Sequence, residues 1–373
     1  MDFSISRENK MVRDAIRDWV SKECPRDKVG EWDAADQFPP ALTKKLSQLG
    51  FCALTVSETH GGEGINLEGA CIVAEEIAAR FPPLARWYTH QALMGGFLIE
   101  TLGDDTQKEA FLPACAAGRC LVAPVGIDDP QASLATCRKD ASGANRTAYR
   151  LQGESPFVNL ADQARLLLVP AAAKDQTSPG AVTLFLLAAD RPGITVTPVE
   201  KIGYRGARYC RVVLDDVVLE PADIFGGGAE AWRQVVDLAR LMTAAEALGL
   251  ARGAFDYTLE HARQRVQFGQ AVGKFPALRN RLAEMACDID AAAMLVARAA
   301  WCADHRRSFH REAAAARLKA GDIALRCAME GLQIFGGYGY TMEYDIQRYV
   351  RDAAGMGAAE EAAREGIGHL LGL

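Results

Sequence analysis

The sequence lacks the features that define several large protein classes. No apolar run reaches the ~20 residues a membrane-spanning helix needs. The opening Met1-Asp2-Phe3-Ser4 is not the basic-then-apolar start of a secretory leader, so a cytoplasmic location is expected. The 10 cysteines are scattered, with no C-x-x-C pair, and the 6 histidines form no cluster at zinc spacing. The cysteines therefore read as free buried thiols, and no metal site is expected. Basic charge is also in deficit: 42 Lys and Arg stand against 48 Asp and Glu, for a formal net charge of −6. This gives no footprint for nucleic acid.

What is present is ordinary globular material. The 373 residues are 49% hydrophobic and 24% charged, enough for a large core in two or three domains. Residues 1–118 read as helical. Met11, Val12, Ala15, Ile16 and Val20 recur with a helical period, and Pro39-Pro40 opens a helix that carries Leu42, Leu46 and Leu49 and stops at Gly50. The turn Glu58-Thr59-His60-Gly61-Gly62-Glu63-Gly64 could pass for a phosphate loop, but a turn needing positive φ explains it more simply. From about Cys120 the texture changes. Short β-prone runs such as Leu166–Val169, Val182–Leu187 and Val212–Val218 are separated by Gly, Pro and Asp, and predict a β-barrel or sandwich over 119–228. Alanine-rich amphipathic segments at 229–264, 275–305 and 310–335, with a shorter last helix, predict a four-helix bundle over 229–373. The expected fold class is α+β: an all-α N-terminal domain, a middle β domain and a C-terminal bundle.

Three places can carry chemistry. The stretch His261–Met285 passes from one helix to another through a corner with a cation (Arg265), an amide (Gln267) and a ring (Phe268). A guanidinium in such a corner suits a phosphate-bearing ligand, although on spacing alone a solvated helix end with a polar turn is the simpler explanation. The octet Gln333-Ile334-Phe335-Gly336-Gly337-Tyr338-Gly339-Tyr340 ends a helix on two adjacent glycines, which either cap it or let a ligand approach the backbone closely. Asp237 and Arg240 read, on spacing alone, as an exposed ion pair of little worth.

These stretches together resemble the acyl-CoA dehydrogenases, flavoproteins that desaturate acyl thioesters. Arg265 to Gly269 is similar to the family's R-x-Q-F-G, the octet to its Q-x-x-G-G-x-G-Y, and Leu49 to Gly64 to its L-G…P-E-x-x-G-G-x-G turn. Asp104 to Arg119 resembles the helix that closes the family's first domain, and Arg351-Asp352-Ala353 its R-D-A. The resemblance covers nearly the whole chain, strongly in both helical regions and poorly between them. It implies FAD as cofactor. Arg265, Gln267, Phe268, Gln333, Gly336 and Gly337 would meet an FAD held by a neighbouring subunit, so the protein would be at least a dimer. Asp237 and Arg240 would line the thioester site. Counting from Arg351-Asp352 without a gap puts the family's catalytic glutamate on Glu360, while a register anchored on His369–Leu373 puts Met356 there and leaves no base. Some branches place the base just before the arginine, where this chain has Ala239. The electron acceptor would be an electron-transferring flavoprotein.

The departures lie at the redox centre. The family's Y-E-G-T-S reads Ala359-Glu360-Glu361-Ala362-Ala363 here, and its T-E-P-x-A-G-S-D reads Val122-Ala123-Pro124-Val125-Gly126-Ile127-Asp128-Asp129. Phe157 and Asn159 stand where the family puts W-I-T/S beside the flavin ring. The resemblance therefore supports two readings. One is a dehydrogenase making a trans-2-enoyl thioester from an acyl-CoA or acyl-carrier thioester. The other is a non-catalytic or half-site subunit of a heteromeric assembly, similar to those of sterol side-chain breakdown, lending its bundle motifs to a partner's FAD.

Overall fold

Apolar residues with a helical period form helices throughout a computed structural model, which describes residues 5–127, 135–139, 149–173 and 182–356. Helix α1 (Arg7–Glu23) starts where the Ser6 hydroxyl accepts the Asn9 N–H at 3.0 Å. Helices α2 (Arg26–Ala34) and α3 (Pro40–Gln48) follow. A short ladder of β1 (Thr55–Val56) and β2 (Gly64–Ile65) encloses the glycine turn, with Gly61 at φ +83° and Gly64 at φ +99°. That turn takes the positive φ expected of it. Helix α4 (Leu67–Ala78) is buried on most sides. Helix α5 (Pro82–Thr89) continues through a π-helical segment, His90–Phe97, into α6 (Leu98–Leu102). Helix α7 (Asp105–Ala116), closed at its start by an Asp104–Gln107 capping box, ends this region.

The strand-rich part comprises β3 (Val122–Pro124), β4 (Ala135–Lys139), β5 (Tyr149–Asn159), β6 (Leu166–Ala173), β7 (Val182–Ala188), β8 (Ile194–Val199), β9 (Tyr209–Leu219) and β10 (Ile224–Gly227). They form one eight-stranded sheet in the order β10-β7-β6-β4-β5-β9-β8, with β3 beside β6. Pairing is antiparallel except where β3 and β4 run parallel to β6. Alternate residues of β5, β6, β7 and β9 converge on a single apolar cluster that includes Leu151, Val169, Phe185 and Val212, so the sheet curls around its own core.

The bundle consists of α8 (Gly228–Gln264), α9 (Pro276–Asp304), α10 (His310–Phe335) and α11 (Ile346–Gly355). Between α8 and α9 lies a tight hairpin of β11 (Val266–Gln267) and β12 (Gln270–Ala271). The bundle and the N-terminal helices share one core. Gly249 and Gly253 make this possible: a Cβ on them would sit 2.1 Å from the Glu75 carbonyl oxygen and 2.0 Å from that of Ala79, so only glycine lets α4 and α8 touch. Among the described residues no helix is long and apolar enough to cross a membrane, and no group of His, Cys, Asp or Glu could hold a metal.

Candidate active site and cofactor corner

A cavity of about 250 Å³ lies where the N-terminal helices, the sheet and the bundle meet. It is lined by Arg86 of α5, Phe157 of β5, Lys201 and Tyr204 of the β8–β9 connection, Thr243 of α8 and Arg317 of α10. A bulge aims Phe157 into it. The β5–β9 register slips between Ser155 and Val158, so Pro156 and Phe157 both face outward while their neighbours on either side are buried. Phe157 is 53% exposed as a result. Asn159, half-buried two residues on, lies opposite Tyr209.

Behind the cavity is a closed polar network. Arg86 Nε donates to Glu246 Oε2 at 2.7 Å, Thr89 Oγ1 to Glu246 Oε1 at 2.7 Å, and the Tyr204 hydroxyl to Glu246 Oε2 at 3.3 Å. The Arg86 guanidinium carbon lies 4.8 Å from the Tyr204 ring centroid. Burial opposes the charge on Arg86, but Glu246 and the nearby tyrosines outweigh it and hold the guanidinium well above its ordinary pKa. His90, one turn on, faces the Arg86 carbonyl oxygen through Nδ1 at 2.9 Å; burial pushes its pKa down to about 3, so it stays neutral. Tyr204 is held at φ +52°, a strained conformation for a non-glycine residue. It persists because ring, hydroxyl and backbone N–H are all engaged: the N–H donates to Asp352 Oδ1 at 2.5 Å.

The R-D-A motif supplies that last contact and more. Arg351 donates to Asp33 Oδ2 of α2 at 2.6 Å and to the Ile202 carbonyl oxygen at 2.7 Å, so one arginine ties the first helices, the β8–β9 connection and α11 together. Burial raises the Asp352 carboxyl to about 6. At the far wall, Arg317 donates to the Met356 carbonyl, fixing the end of α11 against α10.

Asp237 and Arg240 are not the exposed pair that spacing alone predicts. They are buried to 6% and 12% side-chain exposure, 3.3 Å apart, and Asp237 also takes His310 Nδ1 at 2.7 Å. The reason is that α10 begins beside them and covers them. Burial raises the Asp237 pKa against the pull of His310 and Arg240. Neither residue is among those lining the cavity; Thr243, one turn along α8, is.

The remaining candidates gather at the opposite end of the bundle. The β11–β12 hairpin turns on Phe268 and Gly269, at φ +51° and +78°, the signature of a two-residue primed turn. Arg265, half-buried, places its guanidinium carbon 5.2 Å from the Tyr338 ring centroid, and His261 stacks on Phe335 at 3.9 Å. The hairpin and the end of α10 thus form one corner, with Gln333, Gly336 and Gly337 exposed on it. Gly336 takes φ +61°, and a Cβ on either glycine would meet nothing within 4 Å. Gln267 is exposed, and among the described residues its side chain bonds to its neighbour's backbone, Val266 O, at 2.8 Å. Phe268 is 94% exposed and Tyr340 89%. Val122-Ala123-Pro124, the counterpart of the family's donor-bearing stretch, is a buried strand without hydroxyls. Glu360 and its neighbours, like Asp128 and Asp129, lie outside the described residues.

Sequence reasoning missed Arg86, Glu246, Tyr204 and Arg317. The signal was available for two of them: Arg86 and Glu246 are single charges inside otherwise apolar helical runs, Leu84–Trp87 and Ala244–Leu250, where an unpaired charge would be prohibitive.

Comparison with known proteins agrees with this layout. The family descriptions of the acyl-CoA dehydrogenase N-terminal, middle and C-terminal domains match residues 6–119, 126–217 and 226–360. A probable acyl-CoA dehydrogenase of Bacillus subtilis (strain 168), YngJ, is 32% identical over 364 residues, covering 95% of this chain and 94% of its own length. Benzylmalonyl-CoA dehydrogenase of Aromatoleum aromaticum (strain DSM 19018 / LMG 30748 / EbN1) is 32% identical over 362 residues, covering 94% of each. The butyryl-CoA dehydrogenase structure from Megasphaera elsdenii superposes with a TM-score of 0.92 at 28% identity over 100% of both chains. A chain from the structure of the electron transferring flavoprotein of Acidaminococcus fermentans does so with a TM-score of 0.92 at 26% identity, covering 100% of this chain and 99% of its own. The chain belongs to the acyl-CoA dehydrogenase family, which is a family of oxidoreductases.

Proposed function

We propose that this protein is an FAD-dependent dehydrogenase of acyl thioesters, forming the trans-2-enoyl thioester. The observation that carries this is the cavity itself: it is enclosed by all three parts of the chain, and a strand bulge turns a broad aromatic face, Phe157, into it. When bound, FAD supplies the hydride acceptor. Phe157 covers a face of its ring system, and Asn159 offers a hydrogen-bond donor beside it. Arg265 would pair with the pyrophosphate of an FAD held by a neighbouring subunit, and Gln333 with the open backbone at Gly336-Gly337 would admit that dinucleotide without obstruction. Glu360 is the base in this reading: a carboxylate takes the proton alpha to the thioester carbonyl as the hydride leaves the beta carbon. Asp237 and Arg240, with His310, hold the flank of α8 against α10 next to the cavity.

On the corner that carries Arg265 two rings are exposed, Phe268 at 94% and Tyr340 at 89%. A second copy of the chain covers it in this reading, so the protein is at least a dimer. An electron-transferring flavoprotein is the proposed acceptor. The visible spectrum of the purified chain tests the scheme. A yellow protein that bleaches with an acyl-CoA supports it; a colourless one that turns yellow only beside a second dehydrogenase-like chain supports the half-site subunit, the reading that the hydroxyl-free β3 favours. In a yellow protein, Glu360→Gln should abolish bleaching and leave FAD bound; undiminished bleaching moves the base elsewhere. Arg265→Ala should weaken FAD retention roughly 10- to 100-fold, as expected for one charge-assisted contact, measured by flavin release on dilution.

A further inference from the structure

The ten cysteines are all free, and all but Cys287 are buried. Burial pushes Cys24, Cys52 and Cys327 up to about 12, and Cys137 and Cys210 up to about 11. Cys115 and Cys120 differ because they meet each other. They flank the turn from α7 into β3. Gly118 N donates to Cys115 O at 2.9 Å and Arg119 N to Ala114 O at 2.8 Å, with Gly118 at φ +69°, so the chain folds back on itself. Cys115 Sγ then lies 3.7 Å from Cys120 O, and the two thiols share a hydrogen bond. That bond raises the Cys115 pKa and lowers that of Cys120. Burial opposes the lowering and the Arg165 guanidinium assists it, so Cys120 alone among the buried thiols is held below its ordinary value. Arg165 is itself exposed, which puts the pair close beneath the surface. The π-helical segment closes over both: a Cβ on Gly95 would come within 3.3 Å of Cys115 Sγ and 2.8 Å of Cys120 O.

We propose that Cys115 and Cys120 form a dithiol modification site, oxidised by a small hydroperoxide to an internal disulfide. The chemistry needs no flavin and stands apart from the dehydrogenase reading. The Cys120 thiolate attacks one oxygen of hydrogen peroxide, the O–O bond breaks, and a sulfenic acid and hydroxide result. The Cys115 sulfur then displaces the sulfenic hydroxyl, and the S–S bond forms. Two thiols and one peroxide become one disulfide and two waters. Geometry favours this pair over any other. The sulfurs already share a hydrogen bond, and a short closing movement brings them to the bond length of about 2 Å. Cys52 also acts on Cys115, but its own thiol is held protonated by burial, and its sulfur lies against the Ser47 hydroxyl at 4.0 Å. A poised thiolate beside a resolving thiol is the arrangement that redox-sensing cysteines require. Once formed, the bond ties the end of α7 to the entry of β3, where the helical region passes into the sheet.

The test is mass analysis of the purified full chain after dilute hydrogen peroxide and alkylation of the remaining thiols. Cys287→Ser is the background, which removes the exposed thiol. The chain should lose the mass of two hydrogens, peptide mapping should find Cys115 linked to Cys120, and dithiothreitol should reverse the change. The pair should react roughly tenfold faster than any other buried thiol. Cys120→Ser should form no internal disulfide and leave Cys115 a free thiol. Cys115→Ser should stop the reaction at a sulfenic acid on Cys120, trapped by dimedone. Mapping the parent chain gives the same answer should either serine variant fail to fold. A pair that stays reduced under peroxide overturns the assignment. So does a disulfide from either residue to Cys52, or a Cys115–Cys120 link that forms only after denaturant has unfolded the chain.

Discussion

Among the described residues four arginines lie over tyrosine rings, and two of them make an instructive pair: Arg86 is 4.8 Å from the Tyr204 centroid and Arg265 5.2 Å from that of Tyr338. The first is buried in a network of carboxylate, hydroxyls and backbone that the chain completes by itself. The second sits on a corner flanked by a 94% exposed phenylalanine and two glycines with nothing near them. The same pair of side-chain types is enclosed in one place and open to its surroundings in the other. What separates them is whether the surrounding groups are already satisfied. A cation–π contact alone does not tell the two roles apart.

Three substitutions sharpen this contrast, in descending order of effect. Arg86→Leu leaves Glu246 buried without its cation and should destabilise the fold by about 3–5 kcal/mol, measured by denaturant unfolding. A loss below about 1 kcal/mol would mean the network is not what holds α5 to α8. Asp352 gives a pH-dependent effect. Burial raises its carboxyl from 3.8 to about 6, so the folded chain binds that proton more tightly than the unfolded chain. The corresponding stability is fully present below about pH 4 and is lost as pH rises to about 6, roughly 3 kcal/mol in all. Asp352→Asn keeps an acceptor for the Tyr204 N–H and should remove that slope from the unfolding free energy; an unchanged slope assigns it to another group. Phe268→Gly should act in the opposite sense to both. It relieves a left-handed backbone strain of about 1 kcal/mol and so should raise thermal stability slightly, while weakening FAD retention or assembly. A destabilised variant would show that the ring is already packed within its own chain.

The helices were legible in the sequence nearly to the residue. The segment 310–335 coincides with α10, and 229–264 and 275–305 each differ from α8 and α9 by a residue at one or both ends, because alanine-rich periodic runs bounded by Gly, Pro and loops leave little choice. The two chain breaks at Arg265 and at Gly336-Gly337 were legible as well, and the cation–π contact between Arg265 and Tyr338 brings them into one corner. The cavity was not. The network behind it joins Arg86, Tyr204, Glu246 and Asp352, which are far apart in sequence, and no local pattern records that a charge in α5 faces one in α8. The burial of Asp237 and Arg240 was hidden for a related reason: spacing along α8 reveals that the two can meet but not that α10 will cover them.

Arg351 has a consequence for how the chain is made. Its partner Asp33 lies 318 residues earlier, and Glu246, which neutralises Arg86, lies 160 residues later. During synthesis the first helices therefore leave the ribosome carrying acidic and basic groups whose counterparts do not yet exist. Their final docking has to wait until α8 and α11 have emerged, and a fragment cut after the first helical region would carry those charges with nothing to receive them.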